Sequence, residues 1–379
     1  MIRIGVLSPV FCTGGVERWL ITLAKSLPRS FQWSGMGLTP GAPTDAEACD
    51  ELSRYVSIYG TTRYSDVGRD SPVFVYRKES WDEVVNIVCD CDILLVWGDT
   101  PVPEWYTGLV VAVAHGCVDW SKRQMEKYAG PRTRYVAVSR EALKAIPLPD
   151  RLSARVIHNG VEFDRLQPRK SRRELRMEYG IREDRLVVGY IGRFSEEKEP
   201  TAAAMAVANI NQMTGKAMAA YCGIGFDGGA TERKVTELCG AKRVLWMKPT
   251  EVPETLEIAD CIVCASPLEG FGLTRLEAMS RGVPLICTNT GIIPEMTEQW
   301  GKVCTTISSP LNVAELTWAV LTAVDDVKTV ARAAVAAYEG FRSRKFGLEW
   351  ASYFEGLMDE ERRSTTTDDR PALSCRGTE

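Results

Sequence analysis

The residues best suited to chemistry lie in a block near position 270, where Glu269 and Glu277 flank Gly270, Phe271 and Gly272. The block follows an apolar run typical of a strand and continues into a helical pattern. Glycines at such a junction let successive backbone N–H groups face an anion at the start of a helix. Carboxylates beside an anion site are suited to accepting hydrogen bonds from sugar hydroxyls. The block therefore predicts a ligand that carries both a phosphate group and a sugar.

Two cations follow another predicted strand, with Arg193 and Lys198 five residues apart. Arginine offers a planar fork and lysine a point charge, which together suit a diphosphate. Taken alone, this segment more often indicates ordinary surface charge at a strand end. Gly14 and Gly15 lie between the first predicted strand and a helix, where backbone can approach a phosphate. A plain tight turn explains that glycine pair equally well.

A third glycine motif supports a different class of protein. Gly223, Gly225 and Gly228 match the pattern G-x-G-x-x-G and follow a strand, as in NAD-dependent oxidoreductases. In those proteins the pattern opens the first βα turn, whereas here it follows the second predicted strand of its half. The oxidoreductase stays as the alternative from another class.

Short apolar runs alternate with amphipathic stretches along the whole chain, which indicates an α/β protein with parallel sheets covered on both faces. The predicted strands of the first half are Ile2–Leu7, Trp33–Leu38, Ile93–Trp97, Leu109–Ala114, Tyr135–Val138 and Arg155–Ile157. Those of the second half are Leu186–Ile191, Ala217–Cys222, Arg243–Met247, Cys261–Cys264 and Pro284–Cys287.

The same pattern predicts the domain organisation. A first doubly wound domain covers residues 1–164 and a second covers 165–340, because proline and a charge cluster follow Asn159-Gly160-Val161. Residues 341–362 form a helix with large aromatic side chains at helical spacing. The polar segment 363–379 is predicted to be disordered.

Composition narrows the function classes. The 379 residues carry a net charge of −4, so the chain has no general electrostatic attraction to nucleic acid. Twelve cysteines at scattered spacings fit a reducing compartment, and neither a signal peptide nor an apolar stretch of about 18 residues is recognised. A cytoplasmic protein is expected, with peripheral contact at a membrane left open.

The block around Glu269 and Glu277, EGFGLTRLEAMSRGVPLI, resembles the signature of retaining GT-B glycosyltransferases of the GT4-type family, glycosyltransferase group 1. The resemblance spans roughly residues 1–310 and extends, in the order of the family, to Gly14-Gly15-Val16-Glu17-Arg18, Val138-Ser139, Asn159-Gly160-Val161 and Gly192-Arg193…Lys198.

The resemblance implies two Rossmann-like domains facing across a cleft, with the acceptor on the first, the donor on the second and a C-terminal helix crossing back to the first. It also implies roles for single residues. Arg193 and Lys198 resemble the pair that holds the donor diphosphate, and Glu277 resembles the carboxylate that binds the nucleotide ribose. Glu269 and His115 resemble residues that contact the transferred sugar. The remaining implied contacts are backbone groups near the phosphates, at Gly14, Gly15, Phe271, Gly272 and Leu273.

The implied activity is hexosyl transfer, with retention of configuration, from a UDP- or GDP-linked sugar to an acceptor hydroxyl. The acceptor is a saccharide, a lipid-linked saccharide or a small natural product. No metal or other cofactor is expected, because cations and amides can stabilise the departing diphosphate, and no Asp-x-Asp metal triplet is found in the sequence. A catalytically silent nucleotide-sugar-binding subunit and a phosphorylase remain open. The chain departs from the family at Glu199-Pro200, and no motif is placed between residues 39 and 92.

Overall fold

Near-continuous runs of Val, Ile and Leu form two parallel sheets, each covered by helices on both faces. In the computed structural model of the chain, the described residues are 1–9, 11, 14–40, 44–61, 75–78, 80–225 and 227–368. All structural statements below concern these residues.

The first sheet is built from the N-terminal part of the chain. Its strands are β1 (Ile2–Ser8), β2 (Phe31–Leu38), β3 (Ile58–Gly60), β4 (Val75–Arg77), β5 (Ile93–Val96), β6 (Leu109–Ala114), β7 (Thr133–Ala137) and β8 (Arg155–Val156). Its helices are α1 (Gly15–Ser26), α2 (Ala46–Ser53), α3 (Trp81–Val88), α4 (Asp119–Glu126) and α5 (Arg140–Leu143). Short 3-10 helices lie at Asp150–Leu152 and Phe163–Leu166.

The second sheet follows the 3-10 helix Phe163–Leu166. Its strands are β9 (Leu186–Ile191), β10 (Ala217–Cys222), β11 (Val244–Met247), β12 (Cys261–Cys264), β13 (Leu285–Thr288) and β14 (Thr305–Ile307). Its helices are α6 (Arg172–Glu178), α7 (Thr201–Thr214), α8 (Ala230–Cys239), α9 (Val252–Ile258), α10 (Leu273–Ser280), α11 (Ile293–Trp300), α12 (Val313–Ala323) and α13 (Val327–Gly340). The chain then continues into α14 (Ser343–Asp368).

The strand order of each sheet reverses once. The orders are β4-β3-β2-β1-β5-β6-β7-β8 and β11-β10-β9-β12-β13-β14, with all paired strands parallel. The second order is that of a Rossmann fold, and the first adds one strand at each edge. Ligands of such sheets bind at the carboxyl ends of the strands, beside the point of reversal. The loops after β1, β9 and β12 lie at these points and carry the glycine pair, the two cations and Glu269.

Helix α14 returns to the first domain, as the resemblance predicts. Trp350 and Phe354 are fully buried. The Trp350 ring centroid lies 5.6 Å from that of Trp19 on α1, and the Phe354 centroid lies 6.0 Å from that of Phe31. The last helix of the chain therefore completes the core beside the first sheet.

The predicted end of the C-terminal helix is wrong, because the helix is longer than predicted. Helix α14 begins at Ser343 rather than at residue 341 and continues through Asp368 rather than ending at 362. Contacts between successive turns explain the extension, since Arg362 pairs with Asp359 at 3.4 Å and the Ser364 hydroxyl donates to the Glu361 carbonyl at 2.9 Å. Residues 369–379 of the predicted disordered tail lie outside the described residues.

The remaining elements agree with the sequence pattern, with the ends of predicted strands shifted by at most two residues. The three-residue strands β3, β4 and β14 are not predicted. The predicted boundary between residues 164 and 165 falls inside the 3-10 helix that joins the two sheets. None of the helices in the described ranges combines the length and apolar composition that crossing a bilayer requires.

Candidate active site

A cleft between the two sheets contains every residue predicted to act on a ligand. Its cavity has a volume of about 370 Å³. The predicted residues that line it are Gly14, Gly15, His115, Arg193, Lys198, Glu269, Phe271, Gly272, Leu273 and Glu277. A larger cavity of about 520 Å³ lies beside Asp99, Lys127 and Tyr128 and contains none of them. The structure thus brings the predicted residues together in one cleft.

Lys198 and Glu269 form an ion pair across the cleft floor. The Lys198 Nζ lies 2.7 Å from Glu269 Oε1, and the two side chains are 25% and 15% exposed. Burial raises the pKa of Glu269, but the charges of Lys198 and Arg275 lower it, and the net pKa is below the ordinary value. Glu269 is therefore a carboxylate at neutral pH, close to a cation that suits a phosphate.

Arg275 is a residue that the sequence patterns do not single out. Its side chain is completely buried on α10, where the guanidinium donates to the Thr290 carbonyl at 2.5 Å and to the Thr288 hydroxyl at 3.1 Å. Its positive charge lowers the pKa of Glu269 and so favours the ionised carboxylate. In the sequence it reads as one more surface charge on an amphipathic helix.

The start of α10 offers backbone donors to the cleft. Gly272 precedes the helix, and Phe271 is buried against the rings of His158 and Phe341, at centroid distances of 6.2 and 6.0 Å. Within the described part of the chain, no residue accepts a hydrogen bond from the backbone N–H groups of residues 271–274. Unpaired amides at a helix N-terminus favour an anion, in agreement with the expected phosphate contact.

Arg193 and Glu277 are each paired with another residue. Arg193 is half-exposed, and its guanidinium lies 2.6 Å from Glu197 on its own loop. The Glu277 carboxylate is nearly buried and accepts from Arg165, which lies in the 3-10 helix between the sheets. Arg165 also lines the cleft. No spacing in the sequence connects Arg165 with a carboxylate 112 residues away, so the pair is visible only in the structure.

His115 follows β6 and lies under the first-domain side of the cleft. Its ring is in edge contact with Trp19, at a centroid distance of 4.8 Å. Burial lowers the pKa of His115 to about 3. Its Nε2 atom is buried and has no hydrogen-bond partner among the described residues. A neutral imidazole in this position can form a hydrogen bond with a sugar hydroxyl, as donor or as acceptor. It cannot act as a general acid at neutral pH, because it is not protonated there.

The second domain rests directly on the first beside this histidine. A Cβ on Gly270 would lie 1.9 Å from the His115 carbonyl oxygen, and the Ser139 hydroxyl donates to the Gly270 carbonyl. Nearby, the Arg140 guanidinium lies 2.6 Å from Glu298 on α11. These contacts hold the Glu269 loop against the loop that carries His115.

The glycine pattern at 223–228 has a packing explanation. A Cβ on Gly223 would lie 1.9 Å from the Gly192 carbonyl oxygen, so the end of β10 needs a residue without a side chain. The pattern follows β10, the second strand of its sheet in chain order, and α8 begins only at Ala230. This is not the first βα turn that a dinucleotide fingerprint occupies.

The sequence does contain an Asp-x-Asp triplet, Asp90-Cys91-Asp92. Asp90 lies 2.8 Å from the Arg3 guanidinium, and Asp92 accepts from the Arg3 backbone N–H at 2.8 Å. Both precede β5, at the amino ends of the strands and opposite the cleft. Among the described residues there is no group of three or more His, Cys, Asp or Glu arranged to hold a metal ion.

Two facing Rossmann-like domains with this cleft define the GT-B class of glycosyltransferase folds. HepE of Anabaena, solved with UDP-glucose, has a TM-score of 0.74 at 19% identity, over 94% of this chain and all of that chain. A glycosyltransferase from Rickettsia africae has a TM-score of 0.70 at 17% identity, over 94% of this chain and 98% of that one. These likenesses establish the fold.

The second domain matches a family model by sequence. Residues 171–340 match the family described as Glycosyl transferases group 1. This domain is therefore similar to the glycosyltransferase group 1 family, in agreement with the motif around Glu269.

Curated relatives share part of their length with this chain. N-acetyl-alpha-D-glucosaminyl L-malate synthase of Bacillus anthracis is 29% identical over 211 residues, which is 54% of each chain. D-inositol 3-phosphate glycosyltransferase of Corynebacterium jeikeium is 31% identical over 152 residues, which is 37% of this chain and 36% of that one. The chain thus spans about half, or less, of the length of the curated relatives it matches.

Proposed function

We propose that the protein transfers a glycosyl group from a UDP- or GDP-linked sugar to an acceptor hydroxyl. The observation that carries the proposal is the convergence on one cleft of Lys198, Glu269, Glu277 and the unpaired amides at the start of α10. The match of residues 171–340 to the family described as Glycosyl transferases group 1 supports it. The structural neighbour HepE was solved with UDP-glucose and with UDP and glucose, which makes UDP-sugars the first donors to test.

In this proposal the donor separates the Lys198–Glu269 pair. The diphosphate takes Lys198 and the α10 amides as its partners, and a sugar hydroxyl donates to Glu269. As the glycosidic bond breaks, negative charge grows on the departing diphosphate, where a cation and fixed amides lower the barrier most directly. Arg193 joins the diphosphate by releasing Glu197, which is exposed and therefore weakly held.

Retention and independence of metal ions are part of the same proposal. The acceptor enters from the first domain and attacks the face that the diphosphate leaves, with the leaving phosphate taking the acceptor proton. Lys198, Arg193 and the helix amides supply the positive charge that a divalent metal supplies in other enzymes. The acceptor is a saccharide, a lipid-linked saccharide or a small natural product.

The test needs no acceptor at first. UDP, GDP, ADP, NAD and their common sugar conjugates are titrated against the protein by thermal shift, and sugar release from the binding donor is then followed with and without EDTA. One nucleoside diphosphate and its sugar should bind, and release should continue in EDTA. A shift with NAD alone would support the oxidoreductase. If the donor binds but its sugar is neither released nor transferred to any acceptor of a panel, the result would support a catalytically silent nucleotide-sugar-binding subunit.

The stereochemical part has its own measurement. The anomeric proton coupling of the product, recorded by NMR before mutarotation, should match that of the donor sugar. An inverted product would refute retention and leave glycosyl transfer itself intact. Activity lost in EDTA and restored by Mg²⁺ or Mn²⁺ would refute the metal-independent step.

A further inference from the structure

The carboxylate that resembles a ribose-binding residue is held by a residue of the 3-10 helix that joins the two sheets. Arg165 donates through Nη2 to Glu277 Oε1, and both residues line the cleft. The Glu277 side chain is 7% exposed and that of Arg165 is 27% exposed. A nearly buried carboxylate depends strongly on its partner, because the charge has lost most of its water.

The pair leaves Glu277 suited to a second partner. No described residue donates to the other carboxylate oxygen, Oε2. A glutamate side chain has three rotatable bonds, and a guanidinium bound to one oxygen restricts where the other oxygen lies. The arrangement is therefore one in which Arg165 orients the carboxylate and Oε2 accepts from a ribose hydroxyl.

The segment that carries Arg165 is anchored to the first domain. Glu162, three residues earlier, lies 2.8 Å from Lys25 Nζ and accepts from the Thr22 hydroxyl at 3.2 Å, both on α1. Lys25 also pairs with Glu51 on α2. Arg165, which orients Glu277, thus lies in a linker that is held to the first domain by the Glu162 side chain.

We propose that Arg165 is a positioning residue for nucleotide recognition, which holds Glu277 so that the site distinguishes ribose from deoxyribose. This inference rests on the proposed function and on the ribose contact that the family resemblance implies for Glu277. It predicts that Arg165 contributes to affinity mainly through the ribose hydroxyls and not through a general effect on the fold.

The test compares UDP with 2′-deoxyuridine diphosphate by isothermal titration calorimetry. The ratio of their dissociation constants is measured in wild type, R165M, R165K and E277Q, with GDP and its 2′-deoxy form used if GDP binds more tightly. In wild type we expect a ratio of about 10–100, as for a hydrogen bond to a charged group. The ratio should fall below about 3 in R165M and E277Q and lie between these limits in R165K.

A matched control lies immediately after α10, the helix that carries Glu277. Arg281, at the C-terminal end of α10, lies 2.8 Å from Glu257, with both side chains 22% exposed, and neither residue lines the cleft. R281M should keep the wild-type ratio, so a loss confined to R165M is not a general effect of breaking an ion pair. Melting temperatures identify variants that fail to fold, and R165K then carries the test.

The outcomes separate the inference from the proposed function. A wild-type ratio that persists in folded R165M and R165K overturns the role of Arg165. A ratio that persists in E277Q contradicts the ribose role of Glu277, and a wild-type protein that binds neither UDP nor GDP contradicts the proposed function itself.

Discussion

At the scale of single residues, the charges of the cleft are arranged in pairs that a donor can take over. Lys198 and Glu269 neutralise each other at 2.7 Å, and Glu277 is neutralised by Arg165. Buried charges are costly unless they are paired, so the pairs stabilise the protein when no donor is bound. Their members have opposite signs, which matches a ligand with an anionic diphosphate and hydrogen-bond-donating hydroxyls.

The first prediction separates the two members of the Lys198–Glu269 pair. Lys198→Ala should lower turnover by on the order of 100-fold, because it removes a positive charge from the departing diphosphate. Glu269→Ala should lower turnover strongly and change the dissociation constant of UDP by less than about threefold, since its partner is the sugar. Steady-state kinetics and calorimetry on both variants measure these effects.

Lys302→Ala is the control for that experiment. Lys302 pairs with Asp326 at 2.8 Å on the surface and should show wild-type kinetics. Equal losses of transfer and UDP binding in Glu269→Ala would remove the sugar contact from that residue. Full turnover in Lys198→Ala would remove Lys198 from the site.

The second prediction concerns His115 and pH. Burial lowers the pKa of His115 from its ordinary value of 6.5 to about 3, so below pH 6.5 the unfolded chain takes up a proton that the folded protein does not. The free energy of unfolding should therefore fall as pH drops from 7.5 to 5, by on the order of 1–2 kcal/mol from this residue. Urea denaturation at several pH values should show that the free energy of unfolding of His115→Gln lacks this part of the dependence on pH.

The other histidine of the chain provides the comparison. His158 lies 2.9 Å from Glu295 through its Nε2 atom, and His158→Gln should keep the slope that His115 causes. An unchanged slope in His115→Gln would mean that the imidazole is hydrated in the folded protein and able to take up a proton.

At the scale of elements, the contact between the Glu269 loop and the loop after β6 sets the distance across the cleft. A Cβ on Gly270 would meet the His115 carbonyl oxygen at 1.9 Å and the Gly116 Cα at 3.0 Å. These are backbone atoms, which cannot rotate away as a flexible side chain can. Gly270→Ala should therefore displace the two loops and lower transfer by on the order of 100-fold, as misplacement of reacting groups by about 1 Å does.

Kinetics and UDP calorimetry on Gly270→Ala check this prediction, with a smaller change expected in UDP affinity because the nucleotide contacts lie on the second domain. Gly356→Ala is the control. Gly356 lies within α14, and a Cβ added there would point into open space, so alanine should leave activity unchanged and raise stability by up to about 1 kcal/mol. Wild-type turnover in Gly270→Ala would show that the loops separate in the active state.

The elements also show what a sequence can predict. Strands such as Leu186–Ile191 and Cys261–Cys264 are apolar runs bounded by motif loops, so their positions and the convergence of the loops follow from the rules for parallel sheets. The strands β3, β4 and β14 have three residues each and contain no continuous run of Val, Ile or Leu. Arg165 and Arg275 could not be assigned, because their partners are set by tertiary packing and not by spacing.

At the scale of the whole molecule, the chain crosses between the domains twice. It leaves the first domain through the 3-10 helix Phe163–Leu166 and returns along α14. At the second crossing, the Val161 N–H donates to the Phe341 carbonyl at 2.7 Å and the Ser343 N–H donates to the Val161 carbonyl at 3.2 Å. The two crossings thus run side by side and are joined by backbone hydrogen bonds.

The return of α14 predicts that a residue late in the chain stabilises the first domain. Trp350 is fully buried, with ring centroids 5.6 Å from Trp19 and 5.2 Å from Phe354. Trp350→Ala should lower the free energy of unfolding by about 3–5 kcal/mol, the usual cost of such a truncation. Leu348→Ala, at a position 54% exposed on the same helix, should lower it by less than about 0.5 kcal/mol.

Urea denaturation measures both changes, and hydrogen exchange locates them. In Trp350→Ala, amide protection should fall most in β1 and α1, because Trp19 loses its partner there, and less in β9 and β12. Protection lost mainly from β9 and β12 would mean that α14 stabilises the second domain, to which it is joined in sequence, more than the first. In that case the contact between Trp350 and Trp19 would not be the main source of the stability that Trp350 provides.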